Sequence, residues 1–413
     1  MKLGLKLNIV FIIIGIFASQ MVFWHGYSLT ERTIKNGTFN KLTAIREGKK
    51  RQIEGYFRLV QNQTVTFAEN YMVLLAVQEF HKFFLRLSIQ KDNIDLFGKN
   101  LKSFYDNTFS SGSVLNKDEL TALYPDNSSR ISLQYHYIAG NPFPIGSKDK
   151  LDYAEDDSAY SRVHAQYHSA FRNYIKRFGF YDLFLVDVDG NIVYSVNKEV
   201  DFATNLIDGP FKNTNIGEVF RRANSESREG QTTAIDFKPY LPSFNAPAAF
   251  IATPLYSDQK RVGVLILQLP IKEINSVMTG GGKWQQDGLG MSGETYLVGA
   301  DHTMRSDSRF LLEAPDAFKT ELTEYGVNAR EISKIFKYGT TVLVKEVKTS
   351  ASLAALGGNT DTRVVKDYRN IPVLSSYAPL EIQGLNWVIL SEIDVDEAFA
   401  PLESFKVRAV KIM

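Results

Sequence analysis

Apolar residues run almost without interruption from Leu7 to Phe23, and no comparable run recurs in the chain. At about 1.5 Å per residue, Leu7 to Trp24 reaches roughly 27 Å, close to the thickness of a hydrocarbon core. Trp24 and Tyr27 supply amphipathic rings for the far boundary, and Lys2 and Lys6 lie before the span, which predicts a cytoplasmic amino terminus. A cleaved signal peptide is the competing reading, with Ala18 and Ser19 as small residues. Bulky Ile16 and the apolar continuation through Met21, Val22 and Phe23 favour an uncleaved anchor.

Beyond the anchor the period becomes helical. Leu42, Ile45, Lys49, Ile53, Phe57, Val60, Phe67, Tyr71 and Leu74 recur at mostly three- and four-residue steps, and no proline interrupts Ser28 to Arg86. This spacing predicts one long amphipathic helix over 28–87. The stretch 88–158 mixes helical segments with turn-rich runs such as PDNSS, and reads as a helical cap or insertion.

From Gly179 the period is that of strands. GFYDLFLVDVDGNIVYSV contains two β-rich runs joined at Asp189-Gly190, a pair suited to the positive φ angles of a tight hairpin turn. TTAIDFKPY, APAAFIATPLY and RVGVLILQLPI follow as further strands, with helix-like NIGEVFRRA between. The pattern then repeats. FLVDVDGNIVYS from Phe184 aligns without a gap onto YLVGADHTMRSD from Tyr296, and PAAFIATPLY from Pro247 onto PVLSSYAPLE from Pro372. Two matches in the same order predict two similar α+β domains in tandem.

Composition narrows the class. Hydrophobic residues make up 44% and 47 basic side chains face 46 acidic ones, so the chain is a folded protein without the concentrated positive field that nucleic acid demands. The absence of cysteine removes disulfides, thiolate nucleophiles and cysteine-ligated zinc.

The anchor and long helix, the hairpins FLVDVDGNIVYS and YLVGADHTMRSDSRF, and the closing strands VGVLILQLPIKEI and LNWVILSEIDVDEAF together resemble the double Cache ectodomain of bacterial chemoreceptors, sensor kinases and membrane cyclases or phosphatases. The resemblance implies an α+β fold: a transmembrane helix and long amphipathic helix, then two PAS-like domains with antiparallel sheets. The expected segments are 1–6 (cytoplasmic tail), 7–27 (anchor), 28–87 (long helix), 88–158 (cap), 159–274 (membrane-distal domain), 275–393 (membrane-proximal domain) and 394–413 (a helix toward a second span). It also implies a periplasmic or extracellular ectodomain on the inner membrane, a homodimer through the long helix, no cofactor, and a small-molecule ligand in the distal domain. Relatives continue into a second span and an output domain; two readings stay open here, Val407, Val410, Ile412 and Met413 as the approach to such a span, or a naturally short protein without its own effector.

In amino-acid-binding members of that family an aspartate near the end of the last distal strand holds the ligand ammonium. Gln268 stands there, and where an arginine would meet the carboxylate the stretch NLIDGPFKNTN offers Lys212. The tyrosine of the third strand corresponds to Tyr240. The expectation is therefore against a free α-amino acid, whose ammonium would face a neutral amide, with an organic acid better suited to Lys212. Lys212, Tyr240 and Gln268 are the first candidates for ligand contact. Tyr181, Asp182, Tyr194 and Asp236 follow; the two aspartates interrupt apolar strands.

Rival chemistry is thin. GLGMSG (288–293) matches G-x-G-x-x-G but leads into a strand, whereas a dinucleotide site leads into a helix. His164 and His168 share a helix face near Glu155, Asp156 and Asp157, the basis for an alternative reading as a membrane-anchored metal-dependent hydrolase. HAQYH lacks the glutamate of a zinc protease motif. DVDGN resembles the start of a calcium loop without its later glutamate. MRSDSR (304–309) reads as an anion grip or, more ordinarily, an ion pair. A periplasmic protein-interaction module is the third reading; no catalytic residue is assigned and no metal is expected.

Overall fold

The computed structural model describes residues 3–87, 91–109, 115–226 and 228–412, so Lys2 and Met413 lie outside the described residues, as do the side chains of Lys6, Val407, Val410 and Ile412. The apolar stretch is part of α1 (Leu3–Ala68), long and apolar enough to cross a membrane and unburied over that window. The helix does not run on to Arg86. Asn70 accepts from the Met72 N–H at 2.9 Å and starts a separate helix, α2 (Tyr71–Leu85), because an asparagine side chain satisfies a free N–H of a first turn. α3 (Lys91–Phe109), α4 (Lys117–Ala122) and α5 (Ser128–Gln134) follow. α6 (Ala159–Phe178) is capped by Ser158 and closed by Gly179 at φ 78°, a backbone conformation that favours glycine.

By its contacts the chain forms two compact units. The first, Glu54–Ile274 with Ile382–Leu385, is built on five antiparallel strands: β1 (Asp182–Val186), β2 (Ile192–Ser195), β3 (Thr233–Tyr240), β4 (Ala246–Ser257) and β5 (Lys260–Leu269), in the order β2-β1-β5-β4-β3. Both faces are covered, so β1 is buried at every position instead of alternating. Phe184, Phe250 and Ile266 pack with Leu101, Tyr105 and Phe109 of α3 and with Val219 and Phe220 of α7 (Asn215–Ser225). The other face meets α2 and α6: the ring of Tyr194 stacks on Phe80 at 4.8 Å and meets Phe171 edge-on at 5.3 Å.

The Asp-Gly turn is wider than a two-residue hairpin. Val186 pairs with Ile192, and the Asp187 carboxylate closes the loop between them by accepting the Asp189 and Asn191 N–H groups at 3.0 and 2.8 Å. α8 (Ile271–Thr279) follows β5.

The second unit contains Asn275–Glu381 and Asn386–Met413 together with the chain up to Ile53. GLGMSG forms turns that enter β6 (Glu294–Gly299). Helices α9 (Arg309–Glu313), α10 (Pro315–Glu324), α11 (Ala329–Tyr338) and α12 (Ser350–Leu356) precede β7 (Asp361–Lys366), β8 (Pro372–Pro379) and β9 (Trp387–Asp394), and α13 (Val395–Ile412) follows. The sheet order is β6-β9-β8-β7, all antiparallel. The second expected hairpin is reduced: after β6 Met304 bridges back to Val298, flanked by the Gly299 N–H to Thr303 O and Arg305 N–H to Leu297 O bonds, while the outward Met304 N–H goes to Lys345 O at 3.1 Å. Arg305 of MRSDSR pairs with Asp301 at 2.9 Å, and the Asp307 carboxylate accepts from Asn275 and Thr340 at 2.6 Å each.

Candidate carboxylate-lined site

At one end of the five-stranded sheet several polar side chains converge that are far apart in sequence. Asp182 opens β1 and pairs in register with Gln268 of β5. Tyr240 ends β3, Ser243 lies in the short turn after it, and Tyr181 precedes β1. After β2 the chain turns back through Lys198 at φ 55° and Ala203 at φ 61°, carrying Lys198, Glu199 and Asp201 inward. Asp182, Lys198, Asp201, Tyr240 and Gln268 are all buried.

Their bonds form two short chains. Tyr181 and Ser243 donate to the two oxygens of Glu199 at 2.6 and 2.9 Å, and Gln268 donates to Ser243 at 3.3 Å. Tyr240 donates to Asp201 Oδ2 at 2.5 Å. Asp182 Oδ1 accepts three backbone N–H groups, from Leu183, Val196 and Asn197, at 2.7 to 3.1 Å. Asp182 Oδ2, Asp201 Oδ1 and Gln268 Oε1 are buried without a hydrogen-bond partner. Three acceptors left this way at one sheet end carry a free-energy cost that a donor-rich group would relieve.

The electrostatics agree. Burial, then the neighbouring Asp201 and Glu199 charges, lifts the Asp182 carboxyl well above its ordinary range. Burial and Glu199 raise Asp201 to about 7, and burial raises Glu199. The one ammonium among them, Lys198, donates to Ser195 O and sits 4.2 Å over the Tyr194 ring. Burial lowers it to about 7, opposed by Asp182 and Asp149. Three carboxyls thus face a single amine. A small cavity of about 30 Å³, lined by Phe104, Ile145, Lys198, Glu199 and Phe244, adjoins this end.

Of the residues expected from sequence, Asp182, Tyr240, Gln268 and Tyr181 come together here. Tyr194 faces α6 instead, donating to His168 Nδ1 at 2.6 Å. Asp236 lies in a bulge where the β3–β4 register shifts between Ile235 and Lys238, which accounts for the interrupted strand. Lys212 is exposed on a separate open groove of about 560 Å³ that also includes Arg130, Asn205 and Asp208. His168 Nε2 meets Asp149 O at 2.7 Å and His164 Nδ1 meets Asp152 O at 2.8 Å, so each ring of the HAQYH pair has one nitrogen bonded to a backbone carbonyl. Sequence reasoning missed Lys198, Glu199, Asp201 and Ser243. The available signal was NKEVD, a charged run wedged between apolar segments.

A family model described as a Cache domain matches residues 45–402. Among solved structures the chain is similar to the ligand-binding domain of the Campylobacter jejuni chemoreceptor Tlp3 with L-valine, at 10% identity and TM-score 0.40, covering 90% of this chain and 98% of that one. It is similar to the corresponding domain of Pseudomonas fluorescens CtaA with L-leucine, at 15% identity and TM-score 0.32, covering 75% and 98%. The domain of Pseudomonas aeruginosa PctB with L-Arg also matches, at 15% identity and TM-score 0.33, covering 77% and 93%. No curated protein matches the chain. The expectation against a free α-amino acid is corrected: those chemoreceptor domains hold free amino acids. Its physical premise also fails, because Gln268 does not stand alone. Asp182 is its register partner, and its bond to Ser243 links it to Glu199.

Proposed function

Because this chain belongs to the Cache domain family, whose model spans residues 45–402, we propose that it is the extracytoplasmic ligand-sensing region of a bacterial transmembrane signalling receptor. Cache domains of chemoreceptors are small-ligand sensors, and the chain carries one N-terminal apolar helix fit to span a membrane. The ligand enters the five-stranded unit, taken as the membrane-distal domain, and presents an ammonium group to Asp182, Asp201 and Gln268. Tyr240 and Ser243 orient the carboxyls. The observation that carries this reading is the trio of buried acceptor oxygens left without a well-formed hydrogen bond. An ammonium has three donors and a positive charge, and it meets both deficits at once.

Binding shifts the receptor only as far as the ligand prefers one conformation, about 1.4 kcal/mol for each tenfold preference. The elements proposed to carry the displacement are α1, unbroken from Leu3 to Ala68, and α13.

The test is a thermal-shift screen of the full chain in nanodiscs against the L-amino acids, methylamine, ethanolamine and putrescine, with acetate and succinate as anionic controls. Stabilisation by amines, lost in Asp182→Asn and Asp201→Asn and kept in Lys212→Ala, is expected. Stabilisation by the carboxylates alone, or by amines equally in all variants, would overturn the assignment.

A further inference from the structure

The four-stranded unit holds a second set of buried carboxyls at matching strand positions. As Asp182 faces Gln268 at the start of β1, Glu294 faces Glu392 at the start of β6. Both glutamates are 2% exposed. Glu294 is well supplied with donors: the Tyr368 hydroxyl, the Ser308 hydroxyl at 3.3 Å and the Arg309 N–H at 3.0 Å. Glu392 has one, the Tyr296 hydroxyl, at 2.8 Å on Oε2. Its Oε1 makes no well-formed hydrogen bond; the hydroxyl of Ser375, its register partner on β8, lies beside the carboxyl and acts against the effect of burial.

The surrounding cations are bonded elsewhere and compensate the pair only in part. Arg369 is committed to Asp367 at 2.7 Å and Asp394 at 2.6 Å, and Lys345 to Glu331 at 3.0 Å. The Arg309 guanidinium goes to Glu313 and the Gly293 carbonyl. Among the described residues no cationic side chain bonds Glu294 or Glu392, while Asp367 adds a further negative charge to both. Two carboxylates directly opposed on neighbouring antiparallel strands repel, and burial amplifies the repulsion.

We infer that Glu392 carries a proton in the resting protein, held there by its burial beside the negative charges of Asp367 and the opposed Glu294, and that its release is an input by which the four-stranded unit responds to pH. A proton on Oε1 turns an acceptor without a well-formed bond into a donor to the neighbouring Ser375 hydroxyl. Burial, reinforced by Asp367, raises Glu392 to about 8; burial, partly offset by Arg369, raises Glu294 to about 7. The pair titrates as a unit. Above that range a second charge appears between β6 and β9, and strand separation or water entry relieves it. Glu392 lies two residues before β9 ends and runs directly into α13 (Val395–Ile412), so the strain is delivered to that helix.

Infrared spectroscopy of the full chain in nanodiscs, titrated from about pH 6 to about pH 9, tests the inference. A protonated-carboxyl band is expected to fade with a midpoint near about 8. Glu392→Gln is expected to lack this component, and Asp182→Asn to retain it, which separates the pair from the carboxyls of the other unit. Persistence of the component in Glu392→Gln would overturn the inference. If Glu392→Gln does not fold, Asp367→Asn and Glu294→Gln decide: removing either charge should move the midpoint to lower pH, and an unmoved midpoint in both refutes the assignment.

Discussion

Replacing Asp201 by asparagine probes the charge balance of the carboxylate site with little change of shape. In the native chain Asp201 Oδ2 takes the Tyr240 hydroxyl at 2.5 Å and Oδ1 is buried without a partner. An ammonium about 3 Å from that oxygen gains roughly 5 kcal/mol at an effective dielectric of about 20. Removing one partner of a buried charge pair costs about 2–5 kcal/mol. Asp201→Asn should therefore weaken binding of the tightest amine in the screen by between about thirty-fold and a few thousand-fold. A second signature follows from protonation. With a midpoint of about 7, Asp201 is roughly one-tenth ionised at pH 6 and nine-tenths at pH 8, so wild-type affinity should rise about tenfold across that interval. Lys198, also near about 7, loses its competing charge over the same interval and acts with the same sign. Isothermal titration calorimetry at several pH values reads both effects. An Asp201→Asn affinity within about threefold of wild type, or an affinity that falls as pH rises, would refute the reasoning.

Three further outcomes are expected. Asp201, Glu294 and Glu392 have folded values raised to about 7, about 7 and about 8, so each contributes stability that is fully present below the ordinary carboxyl range and is lost as pH rises to its folded value, while the buried His164 and His168, lowered by burial, act with the opposite sign below about pH 6.5. The loss of stability between about pH 6.5 and about pH 8 should therefore be smaller in Glu392→Gln than in the native chain, and thermal midpoints with the same pH dependence in both would contradict this. At Gly263 of β5 an added Cβ meets Val186 O at 2.5 Å and Val77 Cγ2 at 2.9 Å, so Gly263→Ala should cost about 1–3 kcal/mol and lower the melting temperature of the five-stranded unit by several degrees in calorimetry. Arg46 of α1 is buried and donates to Ser376 Oγ at 3.0 Å and Tyr377 O at 2.9 Å; Arg46→Ala should destabilise the four-stranded unit by about 2 kcal/mol in chemical denaturation, with partial recovery in Arg46→Lys.

The α+β architecture was legible in the chain because it rests on local periodicity. The apolar run fixed the first helix, and the paired β-rich segments predicted two similar sheets, since alternation and turn residues act over a few positions. Asp182 was singled out because it interrupts an apolar strand, and Gln268 because the resemblance puts an acid at its place; the fold sets the two in register, whereas Asp236, chosen on the same strand signal, lies in a bulge. The break at Asn70 and the reduced second hairpin were not foreseen. The first is a local cap, the Asn70 side chain taking the Met72 N–H, that the apolar spacing alone does not show; the second involves a distant partner, the Lys345 carbonyl, which meets the Met304 N–H only in the folded chain.

The charge of the site belonged to tertiary structure altogether. Read along the strand, Gln268 is a neutral amide where the resemblance called for an acid, which argued against an ammonium ligand. Folding brings Glu199 and Asp201 inward through a backbone reversal at Lys198 and Ala203, and hydrogen bonds from Tyr181, Ser243 and Tyr240 hold them there. Sequence determined which strands form and which polar residues they carry. Electrostatic fields add over every charge within reach whatever its place in the chain, so what those residues can bind was decided only once the sheet and its loops had closed around them.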